Sequence, residues 1–313
     1  MLMTRADAPR LKIAVCVITL HRPAGLAALL EGLSKLTFSK VAAPEVRVML
    51  VDNDAGGSAK AVAEAAPEGL EVCYCVEPKK GIPIARNRTV EAALPWADYC
   101  AFIDDDEVPP NEWLDELLAA QRRFGADVVT GPVRTVFADP PPPWILEGKF
   151  FAPQQFTTGT ELEVCATNNT LVRAELFQNR RFDERFALTG GEDTQLFMRL
   201  KRVGHTIIWA EDAYVTETMP SSRANLSWLL KRSYREGNSY ALAEFSVDNS
   251  LKRKLLRFSK GVTRLAQGGL GALMNLGRKP AFVRHARRAY LGAGMISGVL
   301  GNRYEEYKEI HGV

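Results

Sequence analysis

The first half of the chain alternates short runs of β-branched and apolar residues with stretches of helical period, and few architectures accept that alternation. The runs are KIAVCVIT (12–19), EVRVMLVD (45–52), LEVCYCV (70–76), DYCAFID (98–104) and ADVVTGPV (126–133), with helical patterns at 23–36, 57–66, 81–94 and 111–124. Strand and amphipathic helix in turn mark βαβ units around a parallel sheet. The predicted class is α/β: a doubly wound, mainly parallel sheet with flanking helices, followed by a C-terminal helical extension. Sheets of this kind bind ligands beyond the carboxyl ends of their strands. The residues that follow each run therefore decide what the fold can hold.

Three polar clusters stand at those ends: Thr19, His21 and Arg22 after the first run, Asp52-Asn53-Asp54 after the second, and Asp104 to Glu107 after the fourth. The last is the densest. In FIDDDEVPP four successive carboxylates repel one another unless water, a helix N-terminus or a cation compensates them. A strand ending in D-x-D can aim Asp104 and Asp106 at one point, and Mg²⁺ and Mn²⁺ take such hard oxygen ligands with phosphate and water completing the shell. The competing reading is an acidic N-terminal cap for the helix NEWLDELLAAQ.

Asp52 can accept hydrogen bonds from a nucleobase or ribose, or D-N-D-A-G-G can simply turn the chain. GIPIARNRTVEAAL opens a helix with Arg86 and Arg88, and helix N-termini and guanidinium groups both favour phosphate; Arg86 is expected nearer the cleft, Arg88 on a solvated face. In LTGGEDTQLFMRLKRVG a Gly-Gly turn feeds a helix opening with Glu192 and Asp193. Asp193 is placed there either as a favourable N-terminal charge or as a general base for an attacking hydroxyl.

DPPPPW breaks the pattern near residue 138, and a long connection is expected as far as Thr160. Shorter strands follow in LEVCATNNTLVR, then a strand pair from TIIWA and AYVTET, then helices from about Arg223. The domain reading is 1–222 for the α/β part that carries the polar clusters and 223–313 for the helical extension. The net charge of +3 hides an asymmetry: residues 251–313 hold 13 Lys and Arg against 3 Asp and Glu, the rest of the chain 27 against 34. Basic residues interleaved with Leu, Phe and Val, as in LKRKLLRFSKGVTRL, can lie on anionic lipid or form a solvated helical cap.

No apolar run is long enough to cross a bilayer, and MLMTRADAPRLK lacks the centre of a secretory signal, so a cytoplasmic protein is expected, peripheral to the membrane if the tail binds lipid. The five cysteines, without metal-ligand spacing, are expected as buried thiols. An acidic body with no reader motif argues against nucleic acid.

The ordered set VITLHRP, MLVDND, GIPIARNRTVEAA, YCAFIDDDEVPPNEWL and GGEDTQLFMRLKRVGH resembles the family 2 glycosyltransferases, which have the GT-A type of nucleotide-binding fold. The resemblance covers about residues 11–220. The GNRYEEY ending is similar to bacterial exopolysaccharide transferases of the succinoglycan type. It implies a hexosyltransferase-type enzyme that moves a sugar with inversion from a nucleotide diphosphate sugar, usually a UDP-sugar, to a saccharide or lipid-linked hydroxyl. It implies a divalent cofactor, Mn²⁺ or Mg²⁺. Carried over by position, the nucleotide-sugar set is Thr19, Arg22, Asp52, Asn53, Arg86, Asp104 and Asp105. Asp106, with Asp104 and Glu217, would hold the metal. Asp193 would be the base with Glu192 beside it, and Asn168 and Asn169 would lie on the acceptor side. Many members place a histidine where AYVTETMP offers Glu217; none of His21, His205, His285 and His311 stands there.

Two other classes fit parts of the pattern. A sugar-phosphate nucleotidyltransferase needs an N-terminal glycine-rich phosphate loop, which ITLHRPAGL does not supply. A non-catalytic, membrane-associated nucleotide-sugar-binding module would bind the donor without transferring or hydrolysing it.

Overall fold

A computed structural model describes residues 10–306. The first nine residues of MLMTRADAPRLK, Tyr307 of GNRYEEY and His311 lie outside the described residues. The strands are β1 (Lys12–Thr19), β2 (Glu45–Asp52), β3 (Glu71–Val76), β4 (Tyr99–Ile103), β5 (Glu107–Val108), β6 (Val128–Thr130), β7 (Val133–Phe137), β8 (Asn169–Arg173), β9 (Ile207–Trp209) and β10 (Val215–Met219). The helices are α1 (Pro23–Leu33), α2 (Lys60–Glu64), α3 (Ile82–Ala93), α4 (Trp113–Phe124), α5 (Pro143–Gly148), α6 (Glu192–Arg202), α7 (Leu226–Val247), α8 (Leu251–Met274) and α9 (Lys279–Val299).

By its contacts the chain divides into two units. One runs to Val133 and adds Gln155–Arg181 and Gly204–Thr216; the other comprises Arg134–Gln154, Phe182–Val203 and the chain from Glu217 onward. The first unit is built on a seven-stranded sheet of order β3-β2-β1-β4-β8-β6-β9. β1 pairs in parallel with β2 and β4, and β2 with β3. β8 runs antiparallel between β4 and β6, and β9 is parallel to β6. From β1 the chain steps outward to β2 and β3, then returns to place β4 on β1's other side. That reversal makes a topological switch point at the carboxyl ends of β1 and β4, the position where such sheets take ligands.

β1 lies inside the sheet between β2 and β4, and Ile13, Val15 and Val17 are fully buried in one cluster with Leu26, Leu29 and Leu30 of α1 and Trp113, Leu114 and Leu117 of α4. Each such aliphatic side chain stabilises the fold by about 1.5–3 kcal/mol. α1 also approaches the acidic loop closely: a Cβ on Gly25 would sit 2.6 Å from the Asp105 carbonyl oxygen. In the second unit α9 packs against α7, α8 and α5, and α6 packs against α7.

Three expectations are corrected. TIIWA and AYVTET are not a strand pair: Ile207, Ile208 and Trp209 are all buried and pair with β6, while β10 belongs to a separate three-stranded sheet of order β5-β10-β7. The 138–160 connection contains α5, started by proline in its first turn and anchored by buried Ile145. The cysteines are free, but only Cys16 and Cys100 are buried; Cys73 is exposed because β3 is the sheet's edge strand.

Candidate active site

The sheet edge answers what compensates the four carboxylates. Asp105, 5% exposed, accepts from the Thr19 hydroxyl at 2.7 Å and from Arg22 Nη1 at 3.0 Å. The same Nη1 donates to Asp106 Oδ2 at 2.7 Å. Arg86, buried on α3, donates Nη2 to Asp104 Oδ1 at 3.2 Å, while Glu107 accepts from the Asp104 backbone N–H at 2.9 Å. Two arginines, one hydroxyl and one backbone amide thus hold four acids in place. Burial pushes the Asp105 carboxyl up to about 6, against the pull of Arg22 and the Thr19 hydroxyl. Burial also works against the Arg22 guanidinium, but Asp105 and Asp106 outweigh it and hold its proton more tightly than usual.

The helix-cap reading of this cluster does not hold. α4 begins at Trp113, well past Glu107, and its own first-turn acids are Asp115 and Glu116. Asp115 turns to the backbone N–H groups of Ser39, Lys40 and Val41 instead.

Asp52 is completely buried at the end of β2, with Oδ2 accepting from the Ala59 N–H at 2.7 Å and the Tyr74 hydroxyl at 3.1 Å, and Oδ1 from the Asp54 N–H at 3.1 Å. Burial and this bond push the Tyr74 hydroxyl up to about 12. Asn53 extends the frame: its Nδ2 donates to the Glu77 and Lys79 carbonyls, and its Oδ1 accepts from the Gly81 N–H just ahead of α3. One loop therefore sets both the end of β2 and the start of Arg86's helix. His21, with a left-handed φ of 54°, brings its Nδ1 to 3.8 Å from Asp54 Oδ2. Arg88 is exposed, as the sequence suggested.

Asn169 has to be removed from the acceptor side. It is fully buried, accepts from Trp113 Nε1 at 2.8 Å and donates to the Ala213 and Pro132 carbonyls at 2.7 and 3.2 Å. Nothing is left to offer a ligand, and its part is to peg β8 to its neighbours. Asn168 is half-exposed.

In the second unit, Gly190 and Gly191 take φ of 70° and 93°, a conformation that favours glycine, and set the start of α6. Glu192 is buried, whereas Asp193 is half-exposed and accepts from the Thr194 N–H. The Ser239 hydroxyl of α7 supports this turn by donating to the Thr189 carbonyl at 3.2 Å. Glu217 on β10 pairs with Arg223 at 3.5 Å.

Among the described residues no three His, Cys, Asp or Glu side chains gather around one point. The acidic edge nevertheless fits a hard divalent cation. Asp104 and Asp106 have partly exposed side chains, 36% and 28%, on either side of buried Asp105, and one or two carboxylates suffice where phosphate and water supply the rest.

A mainly parallel sheet with acids and arginines at its switch point defines an α/β protein whose ligand position carries both signs of charge. Residues 14–181 match the glycosyl transferase family 2. The chain is 34% identical over 305 residues to succinoglycan biosynthesis protein ExoM of Rhizobium meliloti (strain 1021), covering 95% of this chain and 96% of that one. It belongs to the family 2 glycosyltransferases and is an enzyme of that class. The fold is that of the GT-A glycosyltransferases. TarS 1–349 of S. aureus in complex with UDP-GlcNAc aligns with a TM-score of 0.53 at 16% identity, over 94% of this chain and 93% of that one. The mannosyltransferase PcManGT from Pyrobaculum calidifontis, in complex with GDP-Man and Mn²⁺, aligns with a TM-score of 0.61 at 15% identity, over 94% and 90%.

Proposed function

We propose that the protein is an inverting, metal-dependent glycosyltransferase that moves a sugar from a nucleotide diphosphate sugar, a UDP-sugar by preference, to a hydroxyl of a saccharide or lipid-linked acceptor in exopolysaccharide synthesis. The observation that carries the reading is the Arg22–Asp105–Asp106 and Arg86–Asp104 constellation at the switch point of the sheet. Fold relatives in complex with UDP-GlcNAc, or with GDP-Man and Mn²⁺, support the donor class.

Asp52 and Asn53 serve the base end of the donor through the loop they brace. Thr19 and Arg22 border the nucleotide, and Arg86 favours the diphosphate. Asp106 and Asp104 would hold Mn²⁺ or Mg²⁺, which would neutralise a departing diphosphate; Glu217, paired with Arg223 and not gathered with those two carboxylates, falls outside that shell. Asp193 takes the proton of the acceptor hydroxyl as its oxygen bonds to the anomeric carbon and the bond to the diphosphate breaks, so configuration inverts. Buried Glu192 sets the first turn of α6 beneath it, and Asn168 remains the acceptor-side candidate. No described helix is long and apolar enough to cross a membrane. We place the enzyme at the cytoplasmic face of the membrane, held through its basic tail.

A panel of UDP-, GDP- and dTDP-sugars assayed for hydrolysis or transfer with and without Mn²⁺ tests the reading. Turnover of one donor class that requires Mn²⁺ is expected. Donor binding without either reaction would favour a binding module, and no binding at all would reject the donor class.

A further inference from the structure

Helix α8 is built inside out. The side that packs on α9 is lined by glycine and arginine: a Cβ on Gly268 would meet the Ala289 amide nitrogen at 2.4 Å, and one on Gly261 would meet Ile296 at 2.9 Å. Buried Arg257 on the same side donates to Glu244 at 2.7 Å and lies 4.5 Å from the Tyr240 ring centre. The large apolar side chains point the other way. Leu251, Leu255, Phe258, Val262 and Leu265 recur at spacings of four and three along one side, and all five are exposed, Leu251 to 69% and Leu255 to 60%. An amphipathic helix that serves only its own fold turns this stripe toward the core.

Charge identifies what covers the stripe. Between Asp248 and Glu305 the chain carries twelve Lys and Arg and no Asp or Glu. Lys252 and Lys260 flank the apolar side, both exposed and without an acidic partner among the described residues. A second copy of the chain fits poorly. The seven-residue rhythm of a coiled-coil seam would continue at Gly269 and Ala272, which supply no knobs, while exposed Leu270, Leu273 and Met274 broaden the apolar side beyond a seam. A broad apolar face flanked by bases is the form that lies in the plane of a membrane interface. At 24 residues α8 offers about 36 Å of such contact.

We propose that the outward face of α8 is the membrane-docking surface of this enzyme, with Leu255, Phe258, Val262 and Leu265 sunk among the acyl chains of an anionic leaflet and Lys252 and Lys260 at its headgroups. The inference rests on the membrane-face reading above, and its test does not depend on transfer.

The full chain is sedimented with vesicles of equal parts phosphatidylglycerol and phosphatidylcholine, and with phosphatidylcholine alone. Binding to the anionic vesicles is expected, weaker to the neutral ones. Leu255→Ser with Leu265→Ser should lower affinity about a hundredfold, because two buried leucines are lost. Lys252→Gln with Lys260→Gln should lower it about thirtyfold at low salt, with little further loss at high salt. Circular dichroism and nucleotide-sugar binding without vesicles should be unchanged in both variants. Wild-type protein that ignores anionic vesicles overturns the proposal, as does vesicle binding undiminished by the leucine substitutions. So does a dimer, seen by analytical ultracentrifugation, that the leucine substitutions dissociate while vesicles fail to bind. Loss of nucleotide-sugar binding in the wild type would instead reject the transferase reading and leave this one standing.

Discussion

At the carboxyl edge of the large sheet, Asp104, Asp105 and Asp106 find Arg22 and Arg86 at 2.7–3.2 Å, and Asp52 finds four hydrogen-bond donors. On the outer side of α8, Lys252 and Lys260 find no acid among the described residues, and leucines face water. Both regions concentrate one sign of charge, but only the first settles it internally. The sheet edge is organised before a ligand arrives, which is how a site lowers the reorganisation its chemistry requires. α8 is organised for something outside the molecule. Charge density alone therefore does not locate a site; where the compensating groups come from does.

The contrast can be broken by substitutions that affect one region and not the other. The largest effect expected is on turnover: Asp193→Asn should lower transfer about a thousandfold while donor binding and vesicle partition stand. Loss of donor binding as well would show Asp193 to be part of the donor frame rather than a base.

A smaller effect concerns the internal balance of the sheet edge, measured without added metal. Asp105 is pushed up to about 6, so the folded chain holds this proton at pH values where the unfolded chain has released it. Stability should then fall as pH rises from about 4 to about 6, by about 3 kcal/mol, and change no further from this group above that range. Urea unfolding across that range checks it, and Asp105→Asn should remove this part of the slope. A slope of the opposite sign would mean that Arg22 prevails over burial.

The smallest effect belongs to Glu217. Its pair with Arg223 is partly exposed, so Glu217→Gln should cost less than about 1 kcal/mol. It should leave the Mn²⁺ concentration needed for turnover unchanged, because Glu217 does not gather with Asp104 and Asp106. A raised metal requirement would bring Glu217 into the cation's shell.

The strands β1 and β2 were legible in the sequence to the residue, because unbroken β-branched runs stop at polar clusters. So was the start of α6 at Glu192, fixed by the preceding glycine pair. The antiparallel insertion of β8 was not, since NTLVR carries no mark of its partner strands. The Arg22 contacts were equally hidden: they join residues 83 and 84 positions apart. Asn169 misled because an amide saturated by Trp113, Pro132 and Ala213 looks the same in sequence as one that faces a ligand. The interleaved basic and apolar residues of α8 left lipid contact and a solvated cap equally open, and only its packing on α9 showed which side faces out.

Calorimetric titration of the protein with UDP- and GDP-sugars, with and without Mn²⁺, tests the donor site most directly when run beside Asp106→Ala. One nucleotide diphosphate sugar should bind the wild type more tightly with Mn²⁺, and the folded variant should lose that Mn²⁺-dependent gain. Failure of the wild type to bind any of them, or the same Mn²⁺-dependent gain in Asp106→Ala, would contradict a donor site at the acidic sheet edge.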